Sequence, residues 1–494
     1  MRFTVPTRSH AAVLVLAVAV AIACGGSSGA AVPAAAVVEP LLRALRSAEA
    51  APRAKAACEL RELGELAQSA IPALAEVLAD GRRVEGASCR DSFHFGDGAE
   101  WIRITSPALE AAGALAELVP FSFAALAEAA TSASPVARAF AVYALGESGD
   151  PRGARLLMAA LTDGDAGVRA RATAGLGNLQ DEAAAPEIVR LLADPEPRVR
   201  RAAIAALAEL EVRSAESAVA ARLGDDDPAV REAAADALSD IGSRASVAAL
   251  VAALGDADRD VRIESLDALD EIGGPGVEEA ARRALADPVA DVRAEAIETL
   301  ADHGSGSAVE PIGKLVGDAD ADVREAAISA LGELGDARGR APLRSALGHA
   351  SWRTRTAAAE ALGKLQNSED LALLAEATAD SHPHVRLAAL EALGELGDPR
   401  AADAVTRALR DGDWRLREAA AETLGELHAA SARASLESVL ADAHWKVRLT
   451  AVESLSELED PGAVPAIRKL LRDPRAEVRE AATEAVASLL DEEE

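Results

Sequence analysis

Twelve arginines, Arg138, Arg169, Arg200, Arg231, Arg262, Arg293, Arg324, Arg355, Arg386, Arg417, Arg448 and Arg479, stand 31 residues apart with no insertion or deletion between them. A period this strict leaves few folds open. Modules of this size cannot each close a core alone, so every module must bury its apolar face against its neighbours. Around the arginines runs a ten-residue pattern: DPVADVRAEA from 287, DADADVREAA from 318, DSHPHVRLAA from 380 and DPRAEVREAA from 473.

Within a module the apolar residues follow helical spacing. Val323, Ala327, Leu331 and Leu334 share one helix face, and Gly335 follows where a helix end favours positive φ. A second, shorter helix is predicted through Ala341, Leu343 and Leu347. Prolines such as Pro195, Pro197, Pro228 and Pro383 fall at or near first helical turns, where a missing N–H costs little. No stretch alternates as a strand would. The expectation is an all-α solenoid of about fourteen stacked helix-turn-helix repeats. Residues 131–490 hold the twelve regular repeats, and 37–130 hold degenerate ones, with Arg53 and Ala108 in the arginine frame and an insertion at about 81–105. VVEPLLRAL, before Arg53, matches the second half of a module and reads as a cap.

An aspartate stands six residues before the arginine in ten of these twelve modules; Ser132 and His349 are the exceptions. Here the chain resembles HEAT repeats, and with (D)xxxxVRxxAxxAL it is most similar to the short HEAT-like repeats named after phycobilisome lyases. The resemblance implies hydrogen bonds between aspartate and arginine of adjacent repeats, with Asp287, Arg293, Asp318, Arg324, Asp380 and Arg386 as rungs of one ladder. A charge-assisted pair of this kind fixes register.

The N-terminus reads differently. Arg2 and Arg8 precede a continuously apolar run, 11–23, which is too short to span a bilayer as a helix. It reads as a signal peptide, 1–23. The ending Ala21-Ile22-Ala23-Cys24 resembles the lipobox of bacterial lipoproteins, with Ala21 where leucine is usual. The resemblance implies acylation of Cys24, membrane anchoring, and, with Gly25 in place of aspartate, an outer-membrane, periplasmic or surface location. Residues 24–36 read as a flexible tether. The formal charge of −30 argues against nucleic acid as a partner, since phosphate binding needs a cationic surface.

Two enzymatic readings come with the family resemblance. A HEAT-type hydroxylase holds iron through His-Glu dipeptides, but none of the eight histidines here precedes a glutamate. A bilin-lyase reading needs a chromophore substrate, which an exported protein does not suit. No nucleophile elbow, phosphate loop or HExxH helix is present, and no cofactor is expected. SHPH at 381–384, beside Asp380, is the one dense ligand cluster; it is read as a helix-start loop whose aspartate belongs to the ladder.

Binding features remain. Nine residues past the arginine stand Glu209, Asp240, Glu271, Asp302, Glu333, Glu395, Glu426 and Glu457, broken by Lys364. This row is either a solvated face or a track for a basic partner. Trp352, Trp414 and Trp445 share one offset, with His382 and His444 in the same turns. They are either an interface edge or local staples of their helix starts. Cys58, at an outward offset, and Cys89, in the insertion, are either linked or two free thiols. The sequence thus points to an exported, lipid-anchored scaffold binding other, unidentified proteins, with a purely structural spacer or an enzyme of the same repeat family as alternatives.

Overall fold

The computed structural model describes residues 34–85, 104–304 and 306–491. Cys24 and Cys89 lie outside these, as does the apolar segment 11–23. The chain divides into two compact units, Met1–Ala253 and Leu254–Glu494. Each is a stretch of α-solenoid built from one motif: a long helix, a turn, and a short helix, entered through a 3-10 turn in most repeats. In the Arg324 repeat these are Ala321–Leu334, Ala337–Gly339 and Arg340–Ala346. Within each unit the long helices pack side by side, and the short helices pack on the long helix that follows.

The long helix forms for legible reasons. Asp320 caps it, its carboxylate accepting from the N–H groups of Asp322 and Val323. Val323, Ala327, Ile328 and Leu331 then point inward with no exposed surface. Alanine at the crossing points lets neighbouring helices approach closely, so the core is made of Leu, Val, Ile and Ala with almost no rings.

Gly335 ends the helix at φ +64°. The same turn adopts positive φ in other repeats whether or not glycine is present: Gly149 and Gly397 do so, and so do Gln180, Glu211, Gln366, His428 and Glu459. Gly242 and Gly304, at the same position in two other repeats, keep negative φ, so glycine is neither needed nor sufficient for the conformation.

The arginine ladder has two halves. Arg293 donates from Nη1 to the Asp287 carbonyl of its own repeat at 2.8 Å. Its Nε and Nη2 reach both carboxylate oxygens of Asp318 in the next repeat, at 3.0 and 2.7 Å. The same arrangement joins Arg138–Asp163, Arg169–Asp194 and Arg200–Asp225 in the first unit. In the second it joins Arg262–Asp287, Arg355–Asp380, Arg417–Asp442 and Arg448–Asp473. Arg386 lies 3.0 Å from Asp411 with poorer alignment, its Nε making no hydrogen bond. Arg53 pairs with Asp80 in the degenerate region.

Arg324 departs from the ladder. It keeps the main-chain half, donating to the Asp318 carbonyl at 2.7 Å. Across the junction, however, stands His349, and Arg324 Nε is buried with no partner among the described residues. The main-chain half survives any sequence, because a carbonyl is always there. The carboxylate half does not.

Three boundary readings change. The first helix begins at Ala34, inside the stretch read as tether, because Ala34–Ala36 extend the apolar helix that packs on Ala50–Leu63. The insertion is closed at its ends by a two-residue antiparallel ladder, Val84–Thr105 and Glu85–Ile104, too short to show as strand alternation. Cys58 is 1% exposed, not outward-facing, and is disulfide-bonded, so its sulfur is covered rather than solvated.

Candidate functional site: the aromatic and acidic face of the second unit

Each of the three tryptophans opens a long helix, Trp352–Lys364, Trp414–Glu426 and Trp445–Glu457. Two of them stack on a histidine of the following repeat. Trp352 lies 4.0 Å from His382, ring centre to ring centre, with planes 8° apart, and His384 extends the stack at 5.3 Å. Trp414 repeats the contact on His444 at 3.8 Å. Cations lie over the rings: Arg353 over Trp352, Arg415 and Lys446 over Trp414, and Arg475 over Trp445. All three rings are half-buried. They join repeat to repeat. Burial lowers the His382 pKa, which favours the neutral stacked ring.

Asp380, the carboxylate beside these histidines, is held by Arg355 through both oxygens at 2.8 Å. That bond, with His384 and the Arg355 guanidinium close by, leaves the SHPH segment as part of the ladder. Among the described residues no group of three or more metal-ligating side chains is positioned to hold an ion. No helix among them is long and apolar enough to cross a membrane.

The acidic row has a structural cause that the sequence pattern did not reveal. Four glutamates nine residues past the arginine, Glu209, Glu395, Glu426 and Glu457, lie over a glycine of the preceding repeat. A Cβ on Gly363 would stand 2.5 Å from Glu395 Oε2, and one on Gly425 would stand 2.5 Å from Glu457 Oε2. Gly394 receives Glu426 in the same way. The carboxylates therefore reach across to the neighbouring helix, although the residues remain exposed. A second row, Glu360, Glu391, Glu422 and Glu453, runs beside the first, five residues past each arginine. Crowding shows in the titration. Burial first, and then Glu360, Glu395, Glu422 and Glu426, push the Glu391 pKa up. Glu426 and Glu453 are raised by burial and by their own acidic neighbours. Nearer the start of the unit, Glu295 is pushed up to about 7 by burial and by Glu298, Asp267, Asp270 and Glu264.

At the junction where the ladder is broken, a recess of about 420 Å³ opens between the long helices of the Arg324 and Arg355 repeats. Trp352 forms one end and Lys364, the exception in the acidic row, the other; Glu325 and Glu360 lie between. Thr356 Oγ1 is buried there with no partner among the described residues. His349, Trp352, Thr356 and Lys364 each depart from the repeat pattern, and the fold brings them to one junction. In the sequence His349, Trp352 and Lys364 stand in different columns of the repeat.

A family model described as HEAT repeats matches in six overlapping segments, 123–208, 186–270, 247–318, 309–384, 371–445 and 433–494. Among solved structures, the chain is similar to importin beta in an ammonium sulfate condition, with a TM-score of 0.61 at 14% identity, over 92% of this chain and 72% of that one. It is also similar to Kap95p in its complex with RanGDP (TM-score 0.53, 14% identity, 92% and 66% covered). A third is Kap121p bound to the extreme C-terminus of the protein phosphatase Cdc14p (TM-score 0.53, 14% identity, 89% and 55% covered). The chain thus spans between about half and three quarters of these longer proteins. At this identity the likeness shows the fold alone. No curated protein matches the chain by sequence.

Proposed function

The chain belongs to the HEAT-repeat family, and on that premise we propose that it is a protein-binding scaffold whose second unit receives a basic segment of its partner on the aromatic and acidic face. The raised pKa of Glu391, Glu426 and Glu453 carries this reading. These carboxylates repel one another at neutral pH, and a cationic partner relieves the repulsion while burying their half-exposed stems. Similar solved structures are complexes in which the solenoid holds another protein, which supports the same class of function. The scaffold acts at a bacterial envelope, anchored through an acylated Cys24 and reaching outward from the membrane; the lipobox-like segment supports this part.

A fluorescein-labelled peptide alternating lysine and valine tests the binding face by anisotropy. Binding that weakens steeply with salt, and is lost in a Glu391→Gln, Glu422→Gln, Glu426→Gln triple variant, is the expected result. Binding indifferent to these substitutions refutes it. Mass spectrometry of the N-terminal peptide from the native host, searched for acylated Cys24, tests the anchor.

A further inference from the structure

The first unit presents the same helix faces with the opposite chemistry. Across the long helices Pro135–Glu147, Ala166–Asn178 and Pro197–Glu209 runs a groove of about 550 Å³. Its floor is Ala170, Ala174, Gly175, Ala202 and Ala205, side chains that end at Cβ or before it. The groove is narrow at its base because two of the helices touch backbone to backbone: a Cβ on Gly146 would stand 2.5 Å from Gly175 Cα. Where the second unit carries Glu360, Glu391 and Glu422, these repeats carry Tyr143, Ala174 and Ala205.

One wall is cationic. Arg171 Nη1 and Arg198 Nη1 each stand 3.5 Å from the point where a Cβ on Gly167 would sit, so two guanidinium groups converge on one spot. Arg201 lines the groove beside them. Among the described residues none of the three forms an ion pair. Asp165, whose Oδ1 stands 3.0 Å from the same point, caps its helix, accepting from the N–H of Gly167 at 2.8 Å and of Val168 at 3.2 Å. Arg171 instead lies over the Phe140 ring, 4.9 Å from its centre, and burial together with Arg198 lowers its pKa. Elsewhere in this acidic chain arginine is matched with aspartate at junction after junction. Here like charges are gathered, and the groove's own carboxylate, Glu147, accepts from Asn178 and, among the described residues, forms no ion pair with them.

We propose that this groove binds an acidic peptide segment, with its apolar side chains on the alanine floor and its carboxylates against Arg171, Arg198 and Arg201. Three helices about 8–10 Å apart give the groove room for roughly six extended residues. Arg171 is half-buried inside the groove, so a flat anionic membrane reaches only Arg198 and Arg201. The site lies in the other unit from the face proposed above and selects the opposite charge, so the two proposals stand or fall separately.

The probe is a fluorescein-labelled peptide alternating glutamate and valine, with the glutamine-for-glutamate peptide as its control. Saturable binding is expected, weaker by about tenfold or more for the glutamine peptide and for an Arg198→Gln, Arg201→Gln variant. Ala174→Trp fills the floor without changing charge, and it is expected to weaken binding to a similar degree. Both substitutions fall on exposed positions, and circular dichroism melting verifies that the variants stay folded. Failure of the glutamate peptide to bind overturns the proposal, as does undiminished binding to folded Ala174→Trp. Binding of phosphatidylglycerol vesicles without peptide binding overturns it in favour of a lipid surface. The Glu391→Gln, Glu422→Gln, Glu426→Gln variant serves as a control that leaves this site intact.

Discussion

Arg340 and Asp370 meet across the junction between the Arg324 and Arg355 repeats, Nε to Oδ2 at 2.9 Å, and the carboxylate has no exposed surface. Arg344 grips the other oxygen of the same carboxylate. This is the junction at which the ladder arginine, Arg324, has no aspartate to bind. One lock is missing beside the long helices, and another stands beside the short ones.

Removing the shared acceptor leaves two guanidinium groups at a part-buried position with only the exposed Glu369 beside them. Asp370→Ala is expected to destabilise the second unit by about 3–5 kcal/mol, the usual cost of breaking a buried pair from one side. Urea unfolding followed by circular dichroism measures it. A loss within the range of an exposed salt bridge, below about 1 kcal/mol, contradicts the clamp.

His349→Asp restores the ladder pattern and gives Arg324 Nε its missing acceptor. The expected gain is about 1.5–3 kcal/mol, the contribution of a hydrogen bond to a charged group. The gain should vanish when Arg324→Ala is added, which separates it from any general effect of another negative charge.

The turn after each long helix supplies a third prediction. Gln366 and Glu459 hold φ of 47° and 50°, a region that costs a side chain-bearing residue about 1–2 kcal/mol. Gln366→Gly and Glu459→Gly are therefore expected to stabilise, and Gly335→Ala to destabilise, by roughly 1 kcal/mol each. Space is not the issue at Gly335, where a Cβ would meet nothing nearer than 4.0 Å.

The pH dependence has two opposed parts. Glu295 titrates at about 7 in the folded chain against a usual 4.5, so between those values the folded state holds a proton that the unfolded state has lost. Its contribution to stability therefore falls as pH rises from about 4.5 to about 7, and Glu295→Gln should flatten that slope. Asp380 is held below its usual 3.8 by the hydrogen bond from Arg355, so its contribution is present above that value and is lost as pH falls through the lowered one. Melting temperatures from pH 3 to 8 should rise and then decline, and in Glu295→Gln the decline should be smaller.

Much of this was legible in the order of residues. The 31-residue spacing, the inward faces such as Val323, Ala327 and Leu331 and the helix end at Gly335 each follow from a local rule repeated along the chain, while the Arg293–Asp318 type of contact came with the resemblance to HEAT repeats. A periodic chain copies one local decision many times, and such decisions need no knowledge of distant residues. What the columns could not convey was how they meet. Asp370 occupies a position that holds Gly153, Ala184, Gly339 and Ala401 in other repeats, and its role depends on Arg340, thirty residues earlier and one helix away. The same holds for Glu395 lying over Gly363, for the Trp352–His382 stack, and for Arg171 and Arg198 converging above Gly167. Each joins residues about one period apart, through the side-to-side packing of helices. Sequence determined which face of every helix turns inward, because hydrophobic burial acts on each helix separately. Only the stacked structure decided which outward side chains of neighbouring helices come within reach of one another, because charge and ring contacts act over a few ångströms across the junction.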